Sequence, residues 1–452
     1  MKSTCDRRVQ ILLICLILIY CFYVLTDFFV FELKRTQELK RGIFVLPQEI
    51  TILYEKDIKE PNGKGFRVLN TNVLTQQFRK LIQNETNSTN TYYHGFLGRD
   101  PITGDKLWKE VPYPDFNKSF KENIEAHKGY AFNYRKSDSL PLDRNTPNLS
   151  SKECYLKKYA NNLPKASVII IFHNELLSVL LRSIHSVLNY SPPSLLKEII
   201  LVEDKSNKTS HPWLFDTLDT YVQDLPKTRL YHLNKRHGLM GARIYGAKKA
   251  IAPVLVFFDS HIEASFQWLE PLLEIIHEDN KTIATPLIRV IDSQNFDFTK
   301  DNLNAISFTW SLGQKPLNPK LESTPLISPA LAGGLFAIEH EWFKSIGYYD
   351  KELKYYGGEE MELGFKTWMC GGRVLVHPCS NVGHVFRSPD YWSEQVYFVS
   401  YEEIKRNKLR VAHVWMDEYA NLVEKLNGPL ALPLGSIAEA FSIRKKLNSE
   451  SD

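Results

Sequence analysis

The triplet Asp259-Ser260-His261 closes a short apolar run, residues 254–258 (VLVFF). In an extended segment the side chains at i and i+2 point to the same side, so Asp259 and His261 can grip one ion between them. A carboxylate with an imidazole is a mixed oxygen–nitrogen donor set, which suits manganese better than calcium or magnesium. The chemistry such an ion serves is departure of a diphosphate, whose developing charge a divalent cation absorbs. The competing reading is an aspartate that caps the next helix, with His261 in solvent. Glu203-Asp204 also follows an apolar run, and an acid there can hold a ribose or uracil, or cap a helix. Arg236, within Lys235-Arg236-His237-Gly238, is either a partner for phosphate or base or a surface residue. Ala332-Gly333-Gly334-Leu335-Phe336 permits close backbone approach, for a sugar or for a bulge. Tyr356-Gly357-Gly358-Glu359-Glu360 sets acids beside an aromatic and two glycines, the residue types that hold sugar hydroxyls and sugar faces; an acidic turn has the same composition. Val382-Gly383-His384-Val385-Phe386-Arg387 offers a His and an Arg three positions apart.

The elements that position these residues have clear periods. Residues 166–172 (ASVIIIF) are a continuous, β-branched run, the mark of a strand buried on both faces. Leu177, Leu180, Leu181, Ile184, Val187 and Leu188 recur at three and four residues and form one helix stripe, ended by Pro192-Pro193. Residues 198–202 (EIILV) read as a second buried strand, 238–251 as a helix stopped by Pro253, and 254–258 as a third strand. Strand, helix, strand, helix, strand means an open, mostly parallel α/β sheet. Such sheets take ligands at the C-terminal ends of their strands, where Glu203-Asp204 and Asp259-Ser260-His261 fall. There is no internal repeat, and residues 33–125 lack a clean period.

The ends of the chain speak to its compartment. Residues 11–25 carry no charge, and 28–31 extend the apolar run past Asp27 towards the ~20 residues that span a bilayer. A cleaved signal peptide is the alternative, but bulky Tyr23, Phe28 and Phe29 stand where a small-residue cleavage site is needed. The reading is a cytosolic tail over 1–8, a membrane-spanning signal-anchor over 9–31 and a lumenal stem over 32–124. Asn84, Asn87, Asn117, Asn148, Asn189, Asn207 and Asn280 each start an Asn-x-Ser/Thr triplet, which fits a lumenal chain, although Asn189 lies close to a packed helix. Composition is that of a globular domain, 43% hydrophobic and 24% charged, and a net charge of +4 without a dense Lys/Arg patch gives no support for a nucleic-acid partner. Outside the tail and the apolar run only Cys154, Cys370 and Cys379 remain, with no CxxC pair for zinc.

Taken together, these stretches resemble the polypeptide N-acetylgalactosaminyltransferases, which start mucin-type O-glycosylation on Ser/Thr. The matching text includes Ile171-Phe172-His173-Asn174-Glu175, Leu180-Leu181-Arg182-Ser183, Gly238-Leu239-Met240, Asp259-Ser260-His261 and Trp268-Leu269-Glu270-Pro271-Leu272-Leu273. It continues through Ala332-Gly333-Gly334-Leu335-Phe336, Trp368-Met369-Cys370-Gly371-Gly372, Val382-Gly383-His384-Val385-Phe386-Arg387 and Val414-Trp415-Met416-Asp417-Glu418-Tyr419. The resemblance implies a GT-A, Rossmann-like catalytic domain over residues 125–447, with a nucleotide and metal half at 163–272 and a sugar and acceptor half at 328–391. It implies manganese on Asp259, His261 and His384. It implies a UDP-GalNAc donor met by Asp204 and Arg236 on the nucleotide side and by Gly334, Tyr356 and Glu359 near the sugar. Arg387 would hold the diphosphate, and Glu359 and Arg387 are the residues placed in catalysis. Phe308 and Trp310 would line the groove for a polypeptide acceptor. It further implies a retaining transfer, a single-pass Golgi membrane location, a Cys154–Cys379 disulfide and a free, buried Cys370.

The departures from the family pattern define the open questions. Ile171 stands where a Thr is common, His237 and Gly241 replace a Glu and an Arg, Tyr356 replaces a Trp, and Glu360 replaces an Asn beside the sugar acid. The segment after Trp310 is shortened. The loop after Arg387 reads Ser388-Pro389-Asp390-Tyr391-Trp392-Ser393-Glu394, without the family's glycine pair. No C-terminal lectin domain is expected after residue 447. Two expectations follow: an active transferase moving GalNAc from UDP-GalNAc to Ser/Thr, or a catalytically weak or inactive member that acts as a Golgi binding or regulatory protein.

Overall fold

The computed structural model describes residues 130–387 and 399–449. The expected tail, signal-anchor and stem (1–124) and most of the loop after Arg387 lie outside the described residues. Among the described residues no helix is long and apolar enough to cross a membrane.

Short helices α1 (Tyr134–Ser139) and α2 (Lys152–Leu156) lead into strand β1 (Ala166–Phe172). Then come α3 (Leu177–Tyr190), β2 (Leu196–Glu203), α4 (Asp216–Gln223), β3 (Thr228–His232), α5 (Gly238–Lys249) and β4 (Val254–Asp259). The second half holds β5 (Ile262–Ala264), α6 (Glu270–Glu278), β6 (Thr282–Ile291), β7 (Phe298–Leu303), β8 (Ile306–Phe308), β9 (Gln314–Pro316), β10 (Leu326–Ile327) and β11 (Phe336–Glu339). It ends with α7 (His340–Ser345), α8 (Glu359–Met369), β12 (Arg373–Val385), α9 (Tyr401–Trp415), α10 (Ala420–Asn427) and α11 (Ala438–Ser449).

Every residue of β1 is buried, because helices cover both faces of the sheet it centres. Val168 and Ile170 face one apolar cluster with Leu180, Ile184 and Val187 of α3; Ile169 and Ile171 face the other with Met240 and Ala247 of α5. Each such fully buried aliphatic side chain contributes roughly 1.5–3 kcal/mol, and that burial is what seats α3 and α5. The sheet runs β10-β12-β6-β11-β4-β1-β2-β3, with β5 paired to β12 and β7 to β6. β1 pairs in parallel with β2 and β4, and β2 with β3. The sheet is mixed rather than mostly parallel, because β11 pairs antiparallel with both β4 and β6. Within its parallel half β3 and α4 are additions to the sequence reading, standing between the expected second strand and α5. β3 (TRLYH) is a half-exposed edge strand, so it carries no continuous apolar run to announce it.

After β1 the chain moves to one side for β2 and β3, then crosses to the other side for β4. The C-terminal ends of β1 and β4 therefore border the crevice where strand order reverses, the place where open α/β sheets bind ligands. The register brings these ends level, with Ile171 opposite Asp259 and Phe172 opposite Glu203. A Cys154–Cys379 disulfide ties α2 to β12 across 225 residues, and Cys370 is buried and unbridged, both as the resemblance implied.

Candidate active site

β4 ends at Asp259, and the chain turns through Ser260 and His261 into β5. β5 pairs antiparallel with β12 in a register that sets His384 against Ile262, so the third imidazole arrives from 123 residues away in sequence beside His261. One donor atom from each of Asp259, His261 and His384 lies within 4.8 Å of the others. His384 Nε2 is 3.4 Å from Asp259 Oδ2, and the two imidazole rings are 4.7 Å apart. The alternative of His261 in solvent is thereby answered: its side chain is 13% exposed and bonded to Glu175.

Three features fit this cluster to a manganese ion. The donors are one carboxylate and two imidazoles. His384 Nδ1 is buried without a hydrogen-bond partner. A Cβ on Gly334 would lie 2.3 Å from Asp259 Oδ2, so only glycine leaves the carboxylate its place. The electrostatics agree. Burial works to raise the Asp259 carboxyl, but the His384 hydrogen bond and the charges of His384, Arg243 and His261 hold it well below the usual range. Burial also lowers His384, despite the opposing Asp259 contact, and so favours the neutral ring that ligates.

Two residues without a role in the sequence reading organise this cluster. Glu175, in the loop after β1, is 3% exposed and accepts from Ser260 Oγ at 2.7 Å. The same oxygen lies 3.0 Å from His261 Nδ1 and 3.3 Å from Arg387 Nη2. A proton on Nδ1 facing Glu175 leaves Nε2 as the ligand atom, the carboxylate–imidazole–metal arrangement. Burial would raise the Glu175 carboxyl, but Arg387, the His261 contact and the Ser260 hydroxyl hold it at about 2. Arg243 of α5 is fully buried, with Nη2 3.6 Å from Asp259 Oδ1 and 3.4 Å from the Gly334 carbonyl, and Nη1 3.3 Å from Tyr349 Oη. A sequence signal existed for each: Glu175 lies in the strand-end text Phe172-His173-Asn174-Glu175, and Arg243 is a cation within a helix of Gly and Ala.

The other expected residues fall into three places. Asp204 and Arg387 line the same open cavity as His173, Glu175, Asp259 and His261. Both Asp204 oxygens accept backbone N–H groups at the start of α5, from His237 at 2.6 Å and Gly238 at 2.7 Å, so this carboxylate caps a helix at the cavity wall. Arg387 donates to the Tyr130 carbonyl at 3.1 Å while it meets Glu175. Arg236 packs over the Tyr355 ring at 5.2 Å, and Tyr356 is 43% exposed; neither lines the cavity. Glu359 and Glu360 begin α8, behind the Gly333-Gly334 turn: a Cβ on Gly333 would touch Glu360 Cβ at 3.4 Å. Glu359 Oε2 accepts from Gly357 N–H at 2.7 Å, and burial together with Glu360 pushes Glu359 well above the usual carboxyl range. Phe308 and Trp310 meet edge to face at 6.3 Å, and half-exposed Trp310 stacks on Tyr419 at 5.5 Å, forming an aromatic ridge.

The model of the Glycosyl transferase family 2 matches residues 167–347, and that of the N-terminal domain of galactosyltransferase matches 320–389. N-acetylgalactosaminyltransferase 6 of Drosophila melanogaster is 44% identical over 329 residues, 71% of this chain and 49% of the relative. Polypeptide N-acetylgalactosaminyltransferase 5 of Rattus norvegicus is 41% identical over 78% of this chain and 39% of its own length. Polypeptide N-acetylgalactosaminyltransferase 10 of Homo sapiens is 40% identical over 75% and 56%. The chain thus spans about half the length of the curated relatives it matches. Among solved structures, that of GalNAc-T7 with UDP, GalNAc and Mn2+ superposes with a TM-score of 0.65 at 34% identity, covering 80% of this chain and 67% of that one. The α/β fold is accordingly GT-A-like.

Proposed function

The chain belongs to the polypeptide N-acetylgalactosaminyltransferase family, and on that premise we propose that it binds UDP-GalNAc with manganese and transfers GalNAc to Ser/Thr hydroxyls of polypeptides. The single observation that carries the reading is the Asp259–His261–His384 cluster at the crevice where strand order reverses. Asp259, His261 and His384 would hold the manganese. When bound, the ion supplies the divalent charge that stabilises a departing diphosphate. Glu175 orients His261 through Nδ1, and Arg243 fixes the far oxygen of Asp259. Arg387 lines the cavity as a second cation for the diphosphate, while Gly334 keeps the metal carboxylate free of steric conflict. The Phe308–Trp310–Tyr419 ridge offers flat apolar faces to an acceptor peptide. The apolar N-terminal run and the Asn-x-Ser/Thr triplets support a single-pass Golgi location with the catalytic domain lumenal.

One observation favours a second reading, a member of low turnover that binds nucleotide better than it transfers sugar. Glu360 places an additional buried carboxyl against Glu359 at the turn expected to face the sugar, with Glu360 Oε2 left without a partner. The deciding experiment incubates the purified lumenal chain with UDP-GalNAc, manganese and a mixed Ser/Thr peptide pool. UDP release and glycopeptide are both measured. Glycopeptide in step with UDP establishes the transferase; manganese-dependent UDP binding without glycopeptide establishes the second reading; no manganese-dependent UDP binding defeats both.

A further inference from the structure

We propose that Asn207 carries an N-linked glycan that stands on the rim of the nucleotide cavity, an inference that rests on the lumenal location proposed above. Four Asn-x-Ser/Thr triplets, at Asn148, Asn189, Asn207 and Asn280, fall among the described residues, and the structure sets buried Asn189 apart from the three exposed ones. Asn189 lies within α3 at 5% exposure, and Ser191, at 1%, is bonded to the Val187 carbonyl and to Trp268 Nε1. A sugar on Asn189 is incompatible with the packing of α3, so that triplet stays bare. Asn207 and Thr209 are both exposed in the loop that follows β2.

The hydrogen bonds of this loop leave the reacting atom open. Asn207 Oδ1 accepts from the Thr209 N–H at 2.9 Å and the Ser210 N–H at 3.1 Å. Those bonds use the amide oxygen, whereas a glycan is attached to Nδ2. In the modification, Nδ2 attacks the anomeric carbon of an oligosaccharide carried on a polyisoprenyl diphosphate. The carbon–nitrogen bond forms as the carbon–oxygen bond to the diphosphate breaks; the amide gives up one proton, and the lipid diphosphate leaves with the bonding pair. Oδ1 keeps both of its hydrogen bonds in the product, so the loop accepts the sugar without rearrangement.

The same loop is tied to the cavity. The Asn207 N–H donates to Asn174 Oδ1 at 2.7 Å, and the Asn174 N–H donates to Ser206 Oγ at 2.8 Å. Asn174 sits between His173 and Glu175, and both of these line the cavity, as does Asp204, three residues before Asn207. A branched, hydrated glycan anchored here covers one side of the entrance and slows the arrival of a nucleotide without touching its contacts.

The test uses the full-length chain isolated from a eukaryotic secretory host. Glycopeptide mapping before and after peptide N-glycosidase treatment is expected to find Asn207 occupied and Asn189 bare. Asn207 bare while another triplet is occupied overturns the inference alone; a chain bare at all seven triplets overturns the lumenal reading with it. Thr209→Ala removes the triplet yet retains the Asn207 turn, whose donor at residue 209 is a backbone N–H. The association rate of UDP with manganese is expected to rise roughly twofold or more in this variant, with the dissociation rate unchanged. Equal association rates for a fully occupied native chain and Thr209→Ala would overturn the placement on the rim.

Discussion

Replacing Glu175 by Gln removes a charge while keeping the shape of the side chain, and it tests whether the site is held together from behind. In the native chain one carboxylate oxygen serves Ser260, His261 and Arg387, and the group is 3% exposed. Its pKa is held at about 2 against an ordinary 4.5. At 1.36 kcal/mol per unit, that depression corresponds to about 3 kcal/mol of preferential interaction with the ionised form. Because the folded pKa is the lower of the two, this stability is present in full above about pH 4.5 and lost as pH falls towards 2. At neutral pH the Gln variant therefore loses up to about 3 kcal/mol, a drop of several degrees in melting temperature rather than failure to fold. Metal binding suffers separately. Without the carboxylate His261 is free to change tautomer, and loss of such an outer partner typically lowers metal affinity about 10–100-fold. Electron paramagnetic resonance of free Mn2+ during titration measures that affinity directly, without need of turnover. Glu175→Asp, which keeps the charge on a shorter arm, should fall between the native chain and Glu175→Gln. Native manganese affinity in a folded Glu175→Gln chain would refute the argument.

Three further substitutions probe the same site. Asp259→Ala should abolish manganese-dependent UDP binding while the chain stays folded; nucleotide affinity that still responds to metal in this variant would remove Asp259 from the ligand set. Gly334→Ala places a methyl 2.3 Å from Asp259 Oδ2, so the carboxylate must move. Overpacking of this kind costs about 1–3 kcal/mol, and charged to the metal site it lowers manganese affinity roughly 5–150-fold, whereas unchanged affinity would mean that the carboxylate is not where the ligand sits. Glu360→Gln relieves the crowding of two buried carboxyls and should tighten UDP-GalNAc binding by about 1 kcal/mol, roughly fivefold, with UDP itself unaffected. If calorimetry shows equal gains for UDP and UDP-GalNAc, the Glu359–Glu360 pair does not face the sugar.

The strands and helices around the crevice were legible because burial on both faces leaves an unmistakable text. Residues 166–172 and 254–258 had to be interior strands, and the stripe from Leu177 to Leu188 had to be a helix. β3 escaped because an edge strand needs no apolar run. At the site, Asp259 and His261 could be paired from spacing alone, since two residues of an extended segment share a side. His384 could not: only the antiparallel pairing of β5 with β12 brings it near, and that pairing depends on long-range register. Its assignment came from resemblance. The roles of Glu175 and Arg243 were not legible for a related reason, although each residue stood out by its type and place. A residue that acts by holding another side chain has no spacing of its own relative to the ion, and its role exists only once the loop after β1 and the middle of α5 are folded against β4. Asp204 shows the limit from the other side, because the choice between nucleotide contact and helix cap turned on α5, a different helix from the next one in the chain.

On the proposed function, the charges of the assembled site couple the binding of metal to that of nucleotide. Glu175 is buried and Asp259 partly so, both are ionised, and each has its own guanidinium, Arg243 for Asp259 and Arg387 for Glu175. Apart from Asp204, whose carboxylate is taken up by the N–H groups that open α5, two anions face two cations, so the metal corner of the cleft is close to neutral before anything binds. A divalent cation alone would leave an uncompensated double positive charge among desolvated groups, and a diphosphate alone would leave the opposite excess, each an expensive state in a low-dielectric cleft. Bound together, the two offset one another, and each must raise the affinity for the other by the same factor. Glu359 does not disturb this balance, because its carboxyl is pushed towards the neutral form. The arrangement therefore favours a nucleotide diphosphate that arrives with its metal. The loss of either partner's anchor, Asp259 for the ion or Arg387 for the diphosphate, weakens the binding of both.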